Sequence, residues 1–191
     1  MKYKNTLVGI LGLCMILIVT SSISVSAEVY PYLGTGQWPS NNVSYQIQSD
    51  VPSAYNDPIY WGGWMWENYS NINLHASSSS FHLINVMAYY YGLTGWSGLT
   101  YINGITLEGG GSIDSQYRNA EIHINRTGLE TASPTLKKVI ACHEFGHALS
   151  LAHSNTLNSI MNSDVLEAVT AYPSLNYQPS SYDIAAVNNR Y

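Results

Sequence analysis

His143, Glu144 and His147 form a His-Glu-x-x-His run, and His153 follows six residues later. On an α-helix, positions 143 and 147 lie one turn apart on the same face. Two neutral imidazoles at that spacing can ligate one zinc ion. Glu144 stands beside the first of them, where a carboxylate can reach a water at the metal without ligating the metal itself. His153 would supply a third donor. A straight helix would carry it far around the axis and about a turn and a half further on, so the helix has to end near Ser150 and the chain has to turn back. Three histidines leave the fourth tetrahedral position open to water, the mark of a catalytic rather than a structural zinc. The chemistry that such a set supports is hydrolysis. The metal acidifies its water and polarises a carbonyl, while Glu144 takes the proton and passes it to the leaving amine.

Those residues need a helix to hold them, and the sequence provides one. Ser133-Pro134 has the form of a cap followed by proline at the first helical position. Leu136, Val139, Ile140, Phe145 and Leu149 then supply the apolar positions. A last helix is signalled by Ser180-Ser181-Tyr182-Asp183, a Ser-x-x-acid capping box, with Ile184, Val187 and Tyr191 on its apolar face. Upstream, Val43, Tyr45 and Ile47 alternate with Ser44, Gln46 and Gln48, a half-buried strand. Asp57-Pro58 reads as the start of a helix running through Ile59 to Tyr69, weakened by Gly62-Gly63. Residues 82–89 read as a central strand, apolar on both faces. Thr100 to Leu107 is a further strand, followed by a turn at Gly109-Gly110-Gly111. Ala120 to Asn125 is another, with Ile122 and Ile124 on one face. The order is strand, helix, several strands, helix, loop, helix, which is an α+β plan.

The 191 residues fit one domain of ordinary size. Hydrophobic residues are 46% and charged ones only 10%, so there is material for a core and no charge-driven disorder. The net charge is −5 with no basic run, which excludes nucleic acid as an expected partner. Lys2 and Lys4 precede an apolar run from Leu7 to Val19, and Val25 and Ala27 then occupy the −3 and −1 positions of a cleavage site. Residues 1–27 therefore read as a secretory signal peptide. The apolar run is too short for a membrane span, which needs ~20 residues. Residues 28–191 are expected to be a single secreted, extracellular, monomeric domain with no membrane association. Cleavage would leave five basic residues against twelve acidic ones, and Cys142 as the one cysteine. An internal disulfide is then excluded, and Cys142 is expected as a small buried core residue.

His143-Glu144-x-x-His147-x-x-Ser150-x-x-His153 resembles the zinc signature of the metzincins. Ser159-Ile160-Met161 lies where the matrixin branch has its Met-turn, and the Tyr that astacins and serralysins carry two residues beyond that Met is absent. Two looser similarities bracket the motif: Trp38 through Ile47 to the matrixin first strand, and Tyr182 through Val187 to the C-terminal helix. The resemblance implies a zincin fold, with a mixed twisted sheet, an active-site helix and a C-terminal helix. It implies one catalytic zinc on His143, His147 and His153, with Glu144 as general base and protein or peptide substrates. Met161 would form the floor beneath the histidines and Asp183 would support the Met-turn backbone. Residues 164–178, with Tyr172 and Tyr177, would wall the pocket after the cut, and Ala120–Asn125 would be the edge strand that holds substrate. The chain departs from the family at Ser150, where matrixins have Gly. A non-Gly residue in the conformation required there costs roughly 1 kcal/mol or more. The short stretch between Ala27 and the first strand is also expected to hold no pro-segment with a zinc-blocking cysteine.

The remaining candidates are weaker. His75, His82 and His123 lack the close spacing of a second zinc site and are expected on the surface or lining strands. Glu108, Gly109–Gly111 and Asp114 could touch Ca²⁺, but the stretch is acid-poor and is expected to be a plain glycine-rich turn. Asn42, Asn68 and Asn125 begin glycosylation triplets. Tyr89-Tyr90-Tyr91 with Trp61, Trp64 and Trp66 support an alternative, a secreted binding or adhesion module with a vestigial zinc site. Glu144 favours the enzyme, because a binder has no use for a proton acceptor beside the metal.

Overall fold

The computed structural model describes residues 30–79, 81–106, 112–164 and 178–191. The expected signal peptide, the Gly109–Gly111 turn with Glu108, and Tyr172 and Tyr177 lie outside the described residues. The elements run β1 (Asn42–Ile47), α1 (Ser53–Tyr69), β2 (Asn73–Ala76), β3 (Ile84–Tyr89), β4 (Gly98–Ile102), β5 (Ile105–Thr106), β6 (Ala120–Asn125), α2 (Arg126–Leu129), α3 (Pro134–Ala148) and α4 (Ser181–Arg190). This is the α+β arrangement expected. No helix among the described residues is long and apolar enough to cross a membrane.

The six strands form one mixed sheet in the order β2-β1-β3-β6-β4-β5. β2, β1, β3 and β6 are mutually parallel, and β4 runs antiparallel to β6. Alternate residues of each strand point to one face: Ile84, Val86 and Ala88 from β3, Ile122 and Ile124 from β6, Thr100 and Ile102 from β4. All are buried, and α1 and α3 lie across that face. β6 is thus an interior strand with ladder partners on both sides, not the edge expected of Ala120–Asn125. Beyond β6 lies β4, which continues through Asn103-Gly104, both at positive φ, into the two-residue outer strand β5. Asn-Gly with two left-handed residues is a tight hairpin turn, and it splits the strand expected over 100–107.

α1 begins at Ser53, four residues before the expected Asp57 start, so Pro58 lies inside it. The proline removes one backbone donor. Packing holds the extra turn in place: Tyr55 is buried, with the Lys137 ammonium 4.6 Å and the Arg126 guanidinium 5.9 Å from its ring centre. The two glycines of α1 have a steric reason. A Cβ at Gly62 would lie 2.8 Å from Cys142 N and 2.9 Å from Ala141 C, and one at Gly63 would lie 3.0 Å from the Tyr45 ring. Gly62 is where α1 crosses the backbone of α3, one residue from His143. Gly62→Ala is expected to lower unfolding stability by about 2 kcal/mol in urea denaturation, because the backbone it meets cannot move aside. The opposing gain in helix propensity is about 1 kcal/mol. A variant as stable as the parent would show that the helices separate without cost.

Candidate metal centre

α3 starts where its sequence signals place it. Ser133 Oγ accepts from Leu136 N at 3.2 Å and Pro134 follows. The helix interior is buried from Val139 through Ala148, as its nearly continuous small and apolar run requires. Two indoles grip its backbone: Trp66 Nε1 donates to Cys142 O and Trp38 Nε1 to Ala148 O, each at 2.8 Å. Trp66 is therefore a core residue, whereas Trp64 and Tyr90 remain exposed. Cys142 is fully buried, as expected.

The turn after α3 brings the third histidine back. Ser150 N donates to His147 O at 2.9 Å and Leu151 N to Gly146 O at 3.0 Å, with Ser150 at φ 81°. This is the double-bonded helix stop that normally ends in glycine. Ser150 meets the left-handed conformation and its hydroxyl is fully used. Oγ donates to Gly36 O at 3.0 Å and accepts from Tyr117 Oη at 3.1 Å. A strap of residues 31–36 lies against this turn. Leu33 N donates to Ser150 O at 3.0 Å and Ala152 N to Pro31 O at 2.9 Å. Arg190 donates to the carbonyls of both Gly34 and Gly36.

His143, His147 and His153 converge. The His153 Nε2 lies 3.2 Å from His143 Nε2 and 3.2 Å from His147 Nε2. The Nδ1 atoms of the two on α3 are spoken for: His143 Nδ1 donates to Ile160 O at 2.7 Å and His147 Nδ1 to Leu151 O at 2.8 Å. A donating Nδ1 leaves Nε2 as the lone-pair nitrogen, the arrangement metal-binding histidines use. Burial pushes the His143 imidazole down to about 4 and the other two below their ordinary value, so all are neutral at pH 7. Tetrahedral bonds of 2.0–2.1 Å place neighbouring donors about 3.3 Å apart. The donor set fits zinc in type and protonation, His153 stands at that spacing from each of the other two, all three donor atoms lie within 4.8 Å of one another, and these residues could hold one metal ion.

Met161, expected as the floor of the site, is 1% exposed and lies against Gly146 of α3. Gly146 makes room for it, since a Cβ there would fall on Met161 Sδ. The Ser159–Met161 turn hangs from Asp183, which is itself buried. The Asp183 carboxylate accepts from Ile160 N at 2.9 Å, Ser180 N at 2.8 Å, Ser180 Oγ at 2.7 Å and Ser159 Oγ at 2.5 Å. Burial raises its pKa and these donors oppose the rise. The Ile160 backbone thus links Asp183 to His143, its N–H donating to one and its carbonyl accepting from the other.

Glu144 is buried, and burial pushes its pKa up to about 8 against the pull of Thr100, whose hydroxyl donates to Oε2. Nothing in the sequence singled out Thr100 or Gly98, because their contact with Glu144 depends on how β4 crosses α3. The other histidines are elsewhere. His123 faces the opposite side of the sheet, between Tyr91 Oη at 2.7 Å and Glu121 at 3.1 Å, and His82 bonds Asn85. Asn125 is buried and spends its amide on Gly92, Thr94 and Trp96, so its triplet offers no acceptor for a glycan.

A comparison with curated proteins finds no match. The family model described as Matrixin matches residues 103–191, a span that includes α3, the histidine turn, the Met161 turn and α4. That match, the α+β fold and its mixed sheet together support a matrixin-like metzincin catalytic domain.

Proposed function

We propose that the chain is a secreted zinc-dependent endopeptidase, with zinc on the Nε2 atoms of His143, His147 and His153 and Glu144 as general base. The observation that carries this is the convergence of three neutral imidazoles, with His153 Nε2 3.2 Å from the Nε2 atoms of His143 and His147 on α3, the helix that also bears the buried Glu144 carboxylate. When bound, zinc supplies Lewis acidity, polarising a carbonyl and acidifying a water. The remaining work falls to the chain. Glu144 accepts the proton of the attacking water and returns it to the amine of the departing peptide. Its elevated pKa suits a group that must do both near neutrality, although a cation in the site opposes that elevation. Met161 floors the site and Asp183 holds that floor.

Substrate is held along β4. The bonds from Asn125 N to Ser97 O and from Asn103 N to Asn119 O place the odd-numbered positions in register with β6. The peptide groups of Gly98 and Thr100 therefore face the other way. Among the described residues, β5 pairs only with Tyr101 and Ile102 and none pairs with the outer side of 98–100, where an extended peptide would add as a strand. Residues 1–27 are proposed to direct export.

The test is casein cleavage by purified Glu28–Tyr191. Cleavage is expected, with a chelator stopping it and zinc restoring it. Folded protein that holds one zinc and cleaves no protein would overturn the endopeptidase reading in favour of a binding module.

A further inference from the structure

β4 meets Glu144 through two residues on its helix-facing side. Thr100 Oγ1 donates to Glu144 Oε2 at 2.7 Å and also lies 3.2 Å from the Glu144 backbone oxygen. Thr100 is buried, so bulk water does not compete for the hydroxyl. Gly98 offers a bare Cα against the same carboxylate. A Cβ there would overlap Oε1 and lie 2.6 Å from Cγ and 2.7 Å from Cδ. The φ of Gly98 is outside the left-handed region, so the backbone itself does not demand glycine; the space taken by Glu144 does. Oε1 accepts from no described residue.

We propose that Gly98 and Thr100 form a cradle that fixes the catalytic base: Gly98 sets how closely the carboxylate approaches β4, Thr100 holds Oε2, and Oε1 is left as the oxygen that carries the proton. The inference rests on Glu144 being the base. A glutamate has three side-chain torsions, and a reacting group displaced by about 1 Å can lose about a hundredfold in rate. Thr100 is a positioning residue, acting through Glu144. Gly98 and Thr100 also lie on the stretch of β4 proposed above to hold substrate, so one short stretch would set both the register of a bound peptide and the place of the base.

Thr100→Val keeps the shape and removes the hydroxyl, whereas Thr100→Ser keeps the hydroxyl. Kinetics, bound zinc per chain and crystal structures of both metal-free variants make the test. Thr100→Val is expected to lower kcat about 30-fold with KM within about twofold and zinc content unchanged, and Thr100→Ser to recover to within about threefold of the parent. In the crystals, the Glu144 carboxylate is expected to rotate away in Thr100→Val and to stay in Thr100→Ser. A carboxylate unmoved in Thr100→Val, or equal losses in the two variants, would overturn the cradle. If the parent chain cleaves no protein, the endopeptidase reading falls, and the carboxylate positions still decide the cradle.

Discussion

Glu144→Gln is expected to abolish turnover while one zinc stays bound. Glutamine has nearly the same shape and keeps an oxygen that can accept from Thr100 Oγ1, but it cannot take a proton. General acid–base catalysis contributes ~10²–10⁴-fold. Glu144 would serve twice, as base toward water and as acid toward the amine, so kcat should fall at least about a thousandfold. The same substitution should strengthen the metal-free protein in alkali. Burial raises the Glu144 pKa from 4.5 to about 8. A carboxyl whose folded pKa is raised contributes most below its unfolded pKa, and that contribution is lost as pH rises through the folded pKa. Metal-free Glu144→Gln is therefore expected to outlast the metal-free parent in urea at pH 8, with the gap closing toward pH 4. Full activity in this variant would remove Glu144 from the role of base. A parent more stable than the variant at pH 8 would show that the carboxylate is better accommodated than its burial indicates.

Asp183→Ala should be the most damaging change outside the histidines. The carboxylate satisfies two backbone donors and two hydroxyls in a buried setting, and its loss strands them. Each buried donor left unpaired costs about 1–3 kcal/mol. A net loss of about 3–5 kcal/mol is expected, a large share of a typical domain's stability. The damage should reach the metal, since Ile160 is held by Asp183 and its carbonyl orients His143. Loss of such support typically weakens metal binding about 10- to 100-fold. Urea denaturation and zinc competition with a chromophoric chelator would read both effects. A wild-type midpoint would mean that the Ser159–Met161 turn finds its own support.

What the sequence displayed was what its local signals govern. α3 and α4 carry their caps and apolar spacing within themselves, and Ser133 and Ser180 both cap as expected. The three histidines could be grouped because ligand spacing is a local geometric constraint. β2 could not be seen: Asn73-Leu74-His75-Ala76 has one large apolar residue, and only parallel pairing to β1 makes it a strand. The early start of α1 escaped for a related reason, because Tyr55 is held there by cations from α2 and α3. The edge was misassigned to Ala120–Asn125 because alternation reports which face is buried but not how many neighbours a strand has. Gly98 and Thr100 were silent because their contact with Glu144 is made across 44 residues of chain.

The strap of residues 31–36 bears on the order of assembly. The helix carrying His143 and His147 can form from local contacts. His153 has no such help: the turn that returns it is pinned by Gly36 from 114 positions earlier and by Leu33. The strap is pinned in turn by Arg190, 154 positions beyond Gly36. Contacts that close such long loops form late. A chain emerging from the ribosome N-terminus first has its strap early and its partners last. The complete ligand set is thus a product of the finished fold, and a nascent or partly folded chain holds two histidines on a helix without the third.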